Sequence, residues 1–202
     1  MRRRRNAWLA AVGALLLLLW QAQVAQAATG SAAGADAGAR HCAAGLAAAP
    51  SGAEKAATAS APVCFDSFAE AISFATDGRV SLPAQADRVD EQQLLDSGAA
   101  STQAAQVARP LLGVEYQNSS YGGGSLVLYG SSGTGCYSGE WYGFPSMASL
   151  GFDNRISSAK MYSNCLGKHH DGTSYTGSYT YCETNCSSLG SMNDKTSSIK
   201  FI

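Results

Sequence analysis

Asp153-Asn154-Arg155-Ile156-Ser157-Ser158-Ala159-Lys160-Met161 returns forty residues later as Asn193-Asp194-Lys195-Thr196-Ser197-Ser198-Ile199-Lys200-Phe201. Two amide-or-acid residues, a base, a serine pair and an apolar–Lys–apolar triplet recur in the same order. The alternation after the serines reads as a strand, and the Asx pair ahead of it as a turn. An internal period of about forty residues matches one four-stranded Greek key. The surroundings agree. From Leu112 onward alanine gives way to Tyr, Ser, Gly, Thr and Asn. Gly113–Tyr116, Ser125–Tyr129 and Ser174–Thr176 read as strands, separated by turns at Tyr121–Gly124, Gly130–Gly133 and Asp171-Gly172. About ninety residues of all-β pattern suffice for one small sandwich.

These residues resemble the βγ-crystallin superfamily in its microbial calcium-binding branch. That family carries Asn/Asp, Asn/Asp, x, x, Ser/Thr, Ser in each of two Greek keys, and both copies stand here intact. A second mark of the family is an aromatic residue, another five positions on, and a glycine two beyond. Tyr116, Tyr121 and Gly123 satisfy it in the first repeat. In the second, Tyr162 starts a similar stretch, but Cys165, Gly167 and His169-His170 displace the second aromatic. The resemblance implies an eight-stranded sandwich of two Greek keys, Leu112–Tyr162 and Tyr162–Ile202.

It also implies two calcium ions, with ligands exchanged between motifs led by Asp153 and Asn193. Asn154 and the Arg155 carbonyl would share one ion with the Ser197 hydroxyl. Asp194 and the Lys195 carbonyl would share the other with Ser157. The donor chemistry suits calcium, which takes six to eight hard oxygens in flexible geometry. One carboxylate per motif points to modest affinity, roughly 10⁻⁵ to 10⁻³ M. The competing reading is that the Asx pairs only make turns and each serine ties its own loop.

The amino-terminal part has different chemistry. Arg2 to Arg5, the uncharged apolar run Ala7–Trp20 and Ala25-Gln26-Ala27 form the three regions of a secretory signal over residues 1–27. The run is shorter than the ~20 residues a membrane-spanning helix needs. The whole chain has 14 basic and 15 acidic residues, so removing four arginines leaves 10 against 15. That balance excludes nucleic acid and anionic membrane as expected partners. Residues 28–111 form an alanine-rich arm with few large apolar side chains, expected to be largely disordered. One helix is expected near 66–76, where Phe65, Phe68, Ile72 and Ala75 recur at helical spacing and Asp66 or Ser67 can cap. Alone it would be marginal, so its apolar face should dock.

Six cysteines in an exported chain argue for disulfides. Cys42 and Cys64 are expected to pair. Cys136, Cys165, Cys182 and Cys186 leave three arrangements open.

No catalytic constellation emerges. His169-His170-Asp171 reads as a solvated hairpin tip, since adjacent strand residues face opposite sides. No Gly-x-Ser-x-Gly elbow is present, and Gly122-Gly123-Gly124 lacks the lysine and helix of a phosphate loop. The expected protein is a secreted, non-enzymatic calcium-binding module with a structural or surface role, facing a cell-surface component. The alternative is a secreted metalloproteinase inhibitor or toxin-like protein acting on an extracellular protease. For that reading Gly133–Tyr142 is the candidate loop, although its Tyr137, Trp141 and Tyr142 could equally fill the core.

Overall fold

The structure is a computed structural model that describes residues 40–54, 56–99 and 109–202. The expected signal, 1–27, lies outside the described residues, as do 28–39 of the arm. Two strands come from the alanine-rich region: β1 (His41–Leu46) and β2 (Val63–Phe65). Eight follow: β3 (Leu111–Asn118), β4 (Gly122–Gly130), β5 (Tyr142–Phe144), β6 (Ser158–Met161), β7 (Gly167–His170), β8 (Tyr179–Cys182), β9 (Asn185–Cys186) and β10 (Ser198–Phe201).

They form two sheets, in the orders β2-β1-β4-β3-β6-β9 and β5-β10-β7-β8. Each repeat contributes four strands, and each sends its third strand to the other repeat's sheet. β5 pairs with β10, and β9 with β6, both antiparallel. This is the topology of two Greek keys related by a pseudo-twofold axis. The first sheet turns Leu112, Leu126 and Leu128 toward Phe144, Ile199 and Phe201 of the second, and these side chains make the inter-sheet core. Each fully buried side chain of this kind contributes roughly 1.5–3 kcal/mol. Trp141 and Tyr142 are buried as well, Tyr142 within that core.

Among these apolar residues lies one ionisable pair. Glu115 of β3 and His169 of β7 are fully buried, with Nε2 of His169 2.9 Å from Oε2 of Glu115. Burial of polar groups is tolerated when they are hydrogen-bonded to each other. The expectation that His169-His170-Asp171 forms a solvated tip is therefore corrected. His169 faces the core and His170 is 4% exposed on the opposite side of β7, so only Asp171 is at the surface.

The described part of the arm is ordered against this sandwich, which corrects the expectation of a mostly disordered segment there. β1 runs parallel to β4 along six residue pairs, and β2 pairs antiparallel with β1. Cys42, Ala44 and Leu46 enter the inter-sheet core, while Ala43 joins a second cluster on the outer face. The small side chains fit a strand hemmed in from both sides: at Gly45 the Tyr129 ring fills the space a Cβ would need. Further on, Ala49 and Trp141 exchange two backbone hydrogen bonds, 2.8 and 3.0 Å.

The outer face of the first sheet is covered by α1 (Phe68–Ala75) and α2 (Glu91–Asp96). Ser67 caps α1 in a capping box with Glu70. Phe68, Ala71, Ile72 and Ala75 then lie on one stripe against Val114, Tyr116, Val127 and Tyr129. α2, absent from the sequence-based expectation, adds Leu94 to this cluster. Among the described residues no helix is long and apolar enough to cross a membrane. Disulfides join Cys42 to Cys64, Cys136 to Cys165 and Cys182 to Cys186, and no cysteine is free. The first is the expected pair, and the other two select one of the three open arrangements.

Leu46 is 2% exposed and Val63, in the adjoining edge strand, is 43% exposed. Leu46→Ala should therefore cost about 2–5 kcal/mol, as in any packed core. Val63→Ala should stay within ~0.5 kcal/mol. Urea midpoints of the two variants measure this, and equal, negligible effects would mean that β1 is not part of the folded core.

Candidate metal-binding loops

Asp153-Asn154-Arg155 precedes β6 and Asn193-Asp194-Lys195 precedes β10, so strand exchange brings the two loops face to face. Asn154 and Asp194 have φ of +54° and +55°. This left-handed conformation is one that Asn and Asp tolerate better than other non-glycine residues. Each loop bonds the other's backbone. The Asn154 amide donates to the Thr196 carbonyl (3.0 Å), and the Asp194 amide to the Ile156 carbonyl (2.9 Å).

The two serines of each motif have separate tasks. Ser157 and Ser197 donate their amides to the carbonyls of Tyr116 and His170, at 2.9 and 2.7 Å. Their side chains are left for the loops, and the Ser157 hydroxyl donates to Oδ1 of Asp194 at 2.9 Å. Among the described residues the mirror contact, Ser197 to Asn154, is not made. Ser158 and Ser198 instead pin the folded hairpins. Ser158 accepts from the Tyr121 amide (3.0 Å) and donates to the Asn118 carbonyl (2.6 Å). Ser198 accepts from the Tyr175 amide (2.9 Å) and donates to the Gly172 carbonyl (2.6 Å).

That second hairpin was not found from sequence. Its aromatic, aromatic and glycine are His170, Tyr175 and Gly177, spaced as Tyr116, Tyr121 and Gly123. Ser120 and Tyr121 have φ of +59° and +64°; Ser174 and Tyr175 have +53° and +63°. The available signal was Ser-Tyr-x-Gly, present at 120–123 and again at 174–177.

The expected ligand residues thus fall in two facing loops, with Asp194 already against Ser157 of the other motif. Three observations fit a hard cation there. Every side-chain donor is oxygen. Oδ1 of Asp153 is buried without a hydrogen-bond partner, and so is Oγ1 of Thr196. An orphaned carboxylate oxygen is costly unless something compensates it. The halves differ, because Oδ1 of Asn193, the counterpart of Asp153, accepts from Ser188 at 3.2 Å. Among the described residues no three His, Cys, Asp or Glu side chains cluster for a metal. These loops present carboxylate, amide, hydroxyl and carbonyl oxygens instead.

The sandwich and its facing loops define a two-Greek-key β-domain. Solved βγ-crystallin domains are similar to it. The amino-terminal domain of protein S covers 45% of this chain and 94% of its own, at 22% identity and a TM-score of 0.37. A βγ-crystallin domain from Clostridium beijerinckii covers 45% and 95%, at 20% and 0.36. One from Flavobacterium johnsoniae covers 45% and 93%, at 22% and 0.33. No protein-family model matches the sequence, and no curated protein matches it. The strand pairings of the chain itself carry the topology.

Burial lowers the pKa of His170, with Lys168 acting in the same direction, and burial lowers that of His41. Each is therefore held neutral in the folded state and binds a proton more readily when unfolded. Their contribution to stability is present above about pH 6.5 and is lost as pH falls toward the depressed folded values. The melting temperature should drop between pH 7.5 and 5, and His170→Gln should flatten part of that slope. A variant whose pH profile overlays the parent's would remove His170 from the account.

Proposed function

We propose that this protein is a secreted, non-enzymatic calcium-binding module of βγ-crystallin type, with a structural or surface-interaction role. The observation that carries the reading is the contact of Ser157 with Asp194 across the two motifs. A turn motif alone would tie each serine to its own loop. Asp194 and the Lys195 carbonyl would hold one ion with Ser157. Asn154 and the Arg155 carbonyl would hold the other with Ser197, with the carboxylate of Asp153 beside it. Calcium supplies positive charge that satisfies oxygens otherwise facing one another, and so locks the loops together. The chain's own residues bring those oxygens to the pseudo-twofold axis. Three disulfides fit an oxidising compartment, which supports secretion.

No separate observation favours the inhibitor or toxin alternative. Tyr142, which would have helped make Gly133–Tyr142 a recognition loop, is turned into the inter-sheet core, and Trp141 is packed against Tyr175 and only 6% exposed.

A ligand that binds only the folded state stabilises it by about 2.7 kcal/mol at 100-fold excess over Kd. For a folded unit of this size that raises the melting temperature by roughly 5–11 °C. Millimolar calcium added after chelation should do this, and magnesium should do much less because it demands tight octahedral geometry. Ser157→Ala should weaken one of the two sites. Asp194→Asn, which keeps a residue suited to positive φ, should weaken it more. Melting unmoved by calcium, together with no heat of binding in calorimetry, would reduce the motifs to turns.

A further inference from the structure

The pseudo-twofold axis relates the outer faces of the two sheets, yet their side chains differ. On the first sheet the outward positions of β3 and β4 are Val114, Tyr116, Ser125 and Val127, all buried beneath the segment carrying α1. The equivalent positions of β7 and β8, in the same register, are Lys168, His170, Tyr179 and Tyr181. Among the described residues no α-helix covers them, and of the four only His170 is buried, against the rings of Tyr175 and Tyr179. Tyr179 and Tyr181 are 52% and 46% exposed, the most exposed aromatic residues among the described ones.

The rings of this open face touch in sequence. Trp141 meets Tyr175 with centroids 6.2 Å apart, Tyr175 meets His170 at 6.2 Å, His170 meets Tyr179 at 5.4 Å, and Tyr179 meets Tyr181 at 5.3 Å. Two ammonium groups flank them. Nζ of Lys168 lies 3.7 Å from the Tyr179 centroid and Nζ of Lys200 lies 4.2 Å from that of Trp141. The two lysines are directly opposed across β7 and β10, an arrangement that destabilises a sheet by like-charge repulsion. At the equivalent place on the covered sheet Lys160 faces Val114 instead. Among the described residues neither Lys168 nor Lys200 has a carboxylate within 4.0 Å.

We propose that this face binds an acidic polysaccharide, one that carries a carboxylate at intervals along a chain of pyranose rings. Exposed tyrosines with an apolar ring and a polar tip suit the flat, apolar faces of sugars and their hydroxyls. The unneutralised lysine pair supplies the positive charge that a uronate complements. Single-stranded nucleic acid also stacks on such rings, but it carries a phosphate at every nucleotide and is bound by a continuous basic groove. Two lysines on a chain of formal net charge −1 do not make one. The two opposed lysines make a single cationic spot, which one uronate of a sparse polyanion can satisfy.

The test uses affinity electrophoresis and calorimetry of the secreted chain with hyaluronan, dextran and oligothymidylate. Each is run in millimolar calcium and again in chelator, so that binding here is read separately from loading of the motif loops. Saturable binding to hyaluronan, with none to dextran, is expected in both conditions. The double variant Lys168→Gln/Lys200→Gln should lose at least tenfold in affinity while melting no lower than the parent. Tyr179→Ala and Tyr181→Ala should each lose about tenfold, while Lys160→Gln on the covered sheet binds as the parent does. No binding to hyaluronan, equal binding to dextran, tighter binding to oligothymidylate, or full binding by the folded lysine variant would each overturn the proposal.

Discussion

Neither Greek key can complete its own sheet. Three residues of β5 lie against β10 and two of β9 lie against β6, and through those few backbone hydrogen bonds each repeat holds the other. Once the third strands cross over, the segments that return from them run toward the same axis. Asn154 and Asp194 then face one another's loops, and their backbone amides bond across reciprocally. The serines that follow inherit their neighbours from this crossing. Ser157 reaches Asp194 of the opposite loop, and Ser158 and Ser198 each secure the hairpin of their own repeat. That the two motif loops face one another is a geometric consequence of strand exchange.

The repeat was legible because Asp153–Met161 and Asn193–Phe201 lie in loops and strands that the axis constrains identically. The second hairpin was not, because its offset from the first is 54 residues, not 40. The first repeat carries an extra loop between β4 and β5, which the Cys136–Cys165 disulfide ties to the turn after β6. A search at one fixed period therefore finds the fourth strands and misses the first two. The identity change from Tyr116 to His170 hid the match further, although both rings occupy the same corner above a folded hairpin.

The alanine-rich region misled for a different reason. Low side-chain volume usually means too little buried surface to offset ordering. β1 escapes that rule because it is added to a sandwich that already exists, between β2 and β4 and beneath α1. There Ala43, Ala44 and Gly45 fit because little space is left, and their smallness marks close packing. The capping box and apolar stripe of α1 were readable, since both are local. What α1 covers was not, because β1 and β4 are about eighty residues apart in the chain.

Glu115 and His169 occupy equivalent places in the two repeats, and they meet at the core. Two copies of the first repeat, associating as the two halves do here, would bring carboxylate against carboxylate with no water to separate them. Two copies of the second would set imidazole against imidazole. Only one of each joins an acid to a base. The pair therefore discriminates between partners that the backbone treats as alike. During synthesis or at high concentration, when halves of neighbouring chains could trade places, it favours a domain assembled from one first half and one second half.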